Sequence, residues 1–224
     1  MLPLNLPQDA SPLRVLCLGA HSDDIEIGCG GTVLQLLSAR SNLHVTWVVF
    51  SSAGEREREA RVSASLFLQH ATQQRVIIKK FRDGFFPYQG TQIKEFFEEL
   101  KKEECPDLIF THYRDDRHQD HKTIGDLTWN TWRQHLILEY EIPKYDGDLG
   151  APNVFVPLEE EARARKIKYI RDVFQTEGNK AWMTDDTFQA ILRLRGVECA
   201  APGRYAEAFH CRKLILANSG EKRT

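Results

Sequence analysis

Four short apolar runs recur along the first half of the chain, at residues 15–18, 43–50, 75–78 and 107–110. The near-continuous hydrophobicity of the first two is that of buried strands, and the other two read as strands as well. Between them, residues 32–37, 55–68 and 92–103 read as helices. In the second of these, Ala60, Ala64 and Phe67 share one face and charges of alternating sign occupy the other. Cys105-Pro106 closes the third. Strand alternating with helix implies right-handed crossovers and a mainly parallel sheet flanked by helices, an α/β fold. A further helix is predicted from Asp116 or Arg117 to about Arg133, with Asp116 and Gln119 resembling a capping box. Beyond it, 136–141 reads as a strand, 143–152 as a Gly/Asp/Pro loop, 159–174 and 185–194 as helices, and 205–216 as a late strand. No repeat or linker marks a boundary. The expectation is one domain over 1–224, with a core at about 13–135 and a C-terminal extension at about 136–224.

Composition narrows the class. The chain has 224 residues, 42% hydrophobic and 28% charged, as ordinary globular proteins do. A net charge of −2 gives no basic field for nucleic acid. Five scattered cysteines with no C-x-x-C pair fit free thiols in a reducing compartment. The first seven residues carry neither a basic region nor a long apolar run, and no stretch approaches the roughly 20 apolar residues of a membrane span. The expected location is the cytoplasm, and the expected assembly a homo-oligomer.

The chemistry concentrates in two stretches. Gly19-Ala20-His21-Ser22-Asp23-Asp24 follows the first strand and leads through Gly28, Gly30 and Gly31 into the first helix. Ligands bind at such carboxyl ends of strands in open α/β sheets. A turn this acidic repels phosphate and suits a cation. His21 and Asp24 offer one nitrogen and one oxygen to zinc or another hard or borderline ion, and Asp23 is left beside it as a proton acceptor. The fourth strand delivers Thr111 to His121 to the same edge, with His118 and His121 three apart on one helix face. Two histidines and one carboxylate leave a position open for water, as catalytic zinc requires. His118 is the candidate donor to an oxyanion and a leaving amine, with Asp120 holding its tautomer. The competing reading is plainer: Asp115, Asp116 and Asp120 favour a helix N-terminus and the histidines are solvated.

Ala20-His21-Ser22-Asp23-Asp24, with Gly28-Cys29-Gly30-Gly31 behind it, resembles the AHPDD-type signature of the PIG-L/LmbE-like N-deacetylases. His118-Gln119-Asp120-His121 resembles their second motif, H-x-D-H, and Ser52-Ala53-Gly54-Glu55 their Gly-Glu turn. Residues 205–209 are similar to a C-terminal element of bacterial members, so the landmarks run from about 13 to 216. The resemblance implies a Rossmann-like fold and a zinc-dependent hydrolase that removes acetyl from an N-acetylglucosamine-type amino sugar or conjugate. It implies His21, Asp24 and His121 as metal ligands, Asp23 as general base, His118 at the tetrahedral intermediate and Asp120 in its support. An arginine after the Gly-Glu turn contacts substrate in the family. Arg56 fits, with Arg58 and Arg61 as competitors. Ser22 replaces the commoner proline, the acid after the Asp pair is displaced to Glu26, and the Gly-Glu turn runs almost directly into its helix. Phe85, Phe86, Tyr88 and Trp182 are candidates for an aromatic platform, with core packing as the alternative for each. Zinc is the expected ion, with Fe(II) or another divalent ion open. An Fe(II) oxygenase shares the two-His-one-carboxylate set, but usually on an antiparallel barrel. A dinucleotide enzyme needs G-x-G-x-x-G at the first turn, which is missing. A non-catalytic sugar-binding module has no use for Asp23 or His118.

Overall fold

The computed structural model describes residues 2–6 and 11–216. The tip of the expected C-terminal extension, and Met1 and Pro7 of the N-terminal stretch, lie outside the described residues. Within them, the strands are β1 (Leu13–Gly19), β2 (Leu43–Val49), β3 (Gln73–Ile78), β4 (Leu108–His112), β5 (Leu136–Tyr140), β6 (Val154–Pro157) and β7 (Ala206–His210). They form one sheet in the order β3-β2-β1-β4-β5-β7-β6. The first five are parallel, and β7 runs antiparallel between β5 and β6. The helices are α1 (Asp24–Ala39), α2 (Glu55–Phe67), α3 (Gly90–Glu103), α4 (Gln119–Thr131), α5 (Glu160–Val173) and α6 (Asp185–Glu198). The predicted Rossmann-like, mainly parallel α/β architecture is the one observed.

Alternation along the strands builds two cores. Val15 and Cys17 of β1, Val45 and Trp47 of β2, and Phe110 of β4 point to one face, where α1, α2, α5 and α6 pack. Leu16 and Leu18, Val48 and Ile109 point to the other, under α3 and α4. Residues buried on both faces explain why β1, β2 and β4 read as unbroken apolar runs, whereas β3, at the sheet edge, is only half-buried over residues 76–78. Among the described residues no helix is long and apolar enough to cross a membrane, and all five cysteines are free.

Four expectations need correction. The first helix begins at Asp24, not near Thr32, so Gly28, Gly30 and Gly31 lie inside it. They are needed for closeness: a Cβ on Gly28 would sit 2.2 Å from the Tyr140 ring, and one on Gly30 would sit 2.6 Å from Phe67. The helix after β4 starts at Gln119 with His118 as its cap, because the Asp116 carboxylate has other partners. A strand over Val154–Pro157 has no counterpart in the sequence reading: it is short and half-buried, so no apolar run announces it. The last strand ends at His210, well before Leu216. The three C-terminal strands extend the same sheet that carries β1 and β4.

The sequence order reverses between β1 and β4: β2 and β3 lie to one side, β5 to the other. At such a switch point the loops leaving two adjacent strands part and open a crevice at their carboxyl ends. Both motif-bearing stretches leave the sheet there.

Candidate active site

β1 ends at Gly19 and the chain turns at once into α1. The His21 N–H donates to Asp24 Oδ2 at 2.6 Å, which fixes the turn. The Ala20 N–H donates to Nε2 of His112, the last residue of β4, at 2.9 Å, so the two strand ends are tied together. His112 is fully buried and stacks on His121, ring centroids 4.0 Å apart and 18° from parallel.

Across this junction three donor groups converge. His21 Nδ1 lies 3.2 Å from His121 Nε2 and 3.5 Å from Asp24 Oδ2, and His121 Nε2 lies 3.4 Å from Asp24 Oδ1. A tetrahedral ion with bonds of about 2.0–2.1 Å holds its ligands roughly 3.3–3.4 Å apart. The three groups therefore fit one small divalent cation. The far nitrogens are backed by carboxylates: His21 Nε2 by Asp120 at 3.2 Å and Asp83 at 3.1 Å, His121 Nδ1 by Asp116 at 2.9 Å. Carboxylates in those positions set the tautomer and raise the donor strength of ligating imidazoles. Among the described residues three further sets, His21/His118/His121, Asp24/His112/His121 and His21/Asp83/Asp120, each have donor atoms within 4.8 Å of one another.

The local fields suit that use at His121 and Asp24, while His21 gives up a proton to an incoming ion. Burial, and then His112, push His121 down to about 4, so its ring is neutral near pH 7 with a lone pair to give. Burial opposes ionisation of Asp24, but His121 and His112 outweigh it and hold the carboxyl well below its usual range. Burial likewise opposes charge on His21, yet Asp120, Asp24 and Asp83 raise it well above its ordinary value. Asp23 differs from its neighbour. Burial, with the charges of Asp24 and Glu177, pushes it up to about 7, against Arg56 and His21. Its Oδ2 is buried with no hydrogen-bond partner among the described residues.

His21, Asp23, Asp24, Arg56, His118 and His121 all line one cavity of about 230 Å³. The separation of nearly a hundred positions between the two motifs is closed by the pairing of β1 with β4. Arg56 reaches Asp83 at 3.2 Å and Glu177 at 3.0 Å, whereas Arg58 and Arg61 turn to Glu55 and Glu57 on the exposed side of α2. His118 presents its edge to His21, centroids 4.9 Å apart, and burial followed by the charge on His21 lowers its pKa. Asp120 is not among the residues lining the cavity and holds a different partner from the one expected. Its carboxylate accepts from His21 Nε2 and from the N–H groups of Gly84 and Phe86, while His118 Nδ1 accepts the Asp120 backbone N–H at 3.3 Å. Asp120 is the second residue of α4, and the ring of the cap, His118, meets its backbone N–H and not its carboxylate.

The aromatic platform does not form as a set. Phe86 is fully buried against Phe50 and Phe81, and Phe85 packs on Tyr88 at the surface. Trp182 does line the cavity, joined by Tyr145. Sequence reasoning missed the roles of His112, Asp116, Asp83 and Lys144. The first two stood inside the second motif-bearing stretch. Asp83 and Lys144 carry no local signal, because only the sheet edge brings them in.

The chain matches the family model described as PIG-L, GlcNAc-PI de-N-acetylase, over residues 16–132, a span that contains both motif-bearing turns. It is 28% identical over 170 residues to the uncharacterized deacetylase YaiS of Escherichia coli K12, covering 70% of this chain and 88% of that protein. Among solved structures it is similar to the N,N'-diacetylchitobiose deacetylase of Pyrococcus horikoshii. The TM-score is 0.69 at 22% identity, over 88% of this chain and 83% of that one. It is also similar to GalB, the 4-carboxy-2-hydroxymuconate hydratase of Pseudomonas putida KT2440, with TM-score 0.69 at 15% identity over 93% and 100%. The two structural likenesses show the fold, and the family match covers the residues at the switch point. This chain belongs to the PIG-L family of de-N-acetylases.

Proposed function

We propose that the protein is a metal-dependent N-deacetylase that hydrolyses the acetamide of an N-acetylglucosamine-type sugar or conjugate, with His21, Asp24 and His121 holding the ion. Zinc suits two imidazoles and one carboxylate with a fourth position open. The observation that carries the reading is a single one. Three donor groups lie 3.2–3.5 Å apart, Asp24 turning Oδ2 to His21 and Oδ1 to His121, in the cavity where a buried carboxylate, Asp23, keeps an unpartnered oxygen. When bound, the ion supplies a water of lowered pKa and a Lewis acid for the acyl oxygen.

The chain's own groups do the rest. Asp23 takes the proton of the attacking water; a carboxyl raised towards neutrality retains basicity that an ordinary aspartate lacks. A neutral His118 ring at the cavity wall donates its N–H to the developing oxyanion, and the proton that Asp23 takes from the water goes on to the leaving amine, directly or through His118 as imidazolium. Asp120 and Asp116 position His21 and His121. Arg56 contacts the substrate, and its buried Nε has no partner among the described residues.

The test is metal analysis of the purified protein coupled to acetate release from N-acetylhexosamine derivatives, with and without chelator. Acetate release that needs bound metal supports the reading. Metal-independent turnover overturns it, as does water addition to an unsaturated acid without acetate release.

A further inference from the structure

Arg56 lines the cavity, yet its own helix does not hold it there. On α2, Arg58 and Arg61 are taken by Glu55 and Glu57, three and four residues before them. The carboxylate within that reach of Arg56 is Glu59, three residues on. Glu59 is buried and engaged elsewhere: its Oε1 accepts the Thr176 N–H at 2.9 Å and its Oε2 the Thr176 hydroxyl.

Thr176 lies in a single 3₁₀ turn, Gln175–Glu177, just past α5. That turn is fixed on both sides. Phe174 before it is buried in the core shared by α1, α2, α5 and α6. After it, the Gly178 N–H donates to the Gln175 carbonyl at 3.2 Å and the Lys180 N–H to the Glu177 carbonyl at 3.0 Å. The tie from Glu59 to Thr176 thus brings the next residue, Glu177, against the guanidinium one helical turn before Glu59. Glu177 Oε1 lies 3.0 Å from Arg56 Nη2.

Two carboxylates grip Arg56, and they are unequal. Asp83, 3.2 Å from Nη1, has a side chain 52% exposed and gives its other oxygen to His21 Nε2 at 3.1 Å. The Glu177 side chain is 6% exposed, and the residue is not among those lining the cavity. Water and salt screen the first pair and scarcely reach the second. Burial opposes the charge on Arg56. Glu177, ahead of Asp23 and Asp83, outweighs it and raises the guanidinium above its ordinary range. The other oxygen of Glu177 pairs with Lys180. A guanidinium gripped at both terminal nitrogens has its plane fixed, and prior ordering lowers the cost of the contact that its remaining N–H groups make.

We infer that, on the deacetylase reading above, in which Arg56 contacts the substrate, Glu177 is the positioning residue that holds Arg56 for that contact. Glu177 stands outside the cavity and acts through Arg56. Arg56 binds and transfers no proton, so loss of its placement falls on KM more than on kcat.

The experiment uses the full, metal-loaded chain, with N-acetylglucosamine as probe and acetate release resolved into kcat and KM. Glu177→Gln keeps the shape and removes the charge. It is expected to raise KM about tenfold, roughly what one charge-assisted hydrogen bond contributes, with kcat and bound metal changed far less. Glu177→Asp, which keeps the charge, should recover part of the loss. In an Arg56→Gln background Glu177→Gln should add nothing, because the group it acts through is gone. An unchanged KM, a fall confined to kcat, or an effect of the same size without Arg56 overturns the inference and leaves the deacetylase reading intact. A second readout needs no turnover. Phenylglyoxal modifies guanidinium groups that are free, and peptide mass spectrometry follows Arg56. Modification is expected to be slow in the wild type and several times faster in Glu177→Gln; equal rates overturn the inference. Thr176→Val, which cuts one tie to Glu59 and leaves both charges in place, should move KM and the modification rate the same way by less, and it replaces Glu177→Gln if that variant does not fold. No acetate from the wild type counts against the deacetylase reading, and the Arg56 modification rate then decides the inference.

Discussion

Asp23 and Asp24 are chemically identical neighbours that the fold sends to opposite tasks. Asp24 is clasped by His21, His112 and His121, and Asp23, at the N-cap of α1, keeps a free oxygen in the cavity. Asp23→Asn is nearly isosteric and removes the proton acceptor alone. It is expected to keep its metal content by elemental analysis and to lose roughly 10²–10⁴-fold in kcat for acetate release, the usual worth of a positioned base. Full activity in that variant would remove Asp23 from the mechanism. Asp116 acts at one remove, through His121 Nδ1. Asp116→Asn is expected to weaken metal affinity about 10–100-fold, read by competition with a chromophoric chelator. Unaltered affinity would mean that His121 needs no such support or is not a ligand.

At the scale of elements, α1 is the piece on which the site depends, because its first turn carries Asp24 and its cap is Asp23. Its approach to the sheet is set by glycine. Tyr140 cannot yield to a Cβ on Gly28, since its hydroxyl is anchored on the Leu18 carbonyl at 2.6 Å. Gly28→Ala is expected to destabilise by about 1–3 kcal/mol as an overpacked core does, seen as a lowered melting temperature. On its other side α1 is held by a buried ion pair. Lys166 of α5 donates to the Ile27 carbonyl at 2.6 Å and to Glu207 of β7 at 2.5 Å, and Glu207 accepts from the N–H groups of Gly31 and Thr32. Lys166→Met strands that carboxylate. The expected cost is about 3–5 kcal/mol in chemical denaturation, and replacing Glu207 with Gln in the same chain should recover part of it.

For the whole molecule, the donor cluster bridges two strand ends and two helices, so an ion there would bind the folded chain and not the unfolded one. At a free concentration near 100 times its Kd, such binding stabilises by about 2.7 kcal/mol, or roughly 5–10 °C in melting temperature for a chain of this size. Chelation is therefore expected to lower the melting temperature and stop acetate release together, and zinc to restore both. A chelator that leaves the melting curve in place would count against an ion among His21, Asp24 and His121.

Much of this was legible in one dimension. Residues buried on both faces write unbroken apolar runs, so β1, β2 and β4 could be read, and with them the α/β order and the edge to which His21 and His118–His121 are delivered. Short-range chemistry was legible too, because motif residues two or three apart move together on one turn or one helix face. What the tertiary structure decided was everything that depends on which segments become neighbours. It moved the start of α1 back to Asp24, because close packing against Tyr140 and Phe67 outweighs the poor helix propensity of three glycines. It gave Asp120 to His21 and Asp116 to His121, since the direction of a side chain off a helix depends on how that helix docks. It brought Asp83, Lys144 and Tyr145 to the cavity from loops whose sequences carry no pattern, and took only Trp182 of the four aromatic candidates there, because a loop's place is set by the strand ends that hold it.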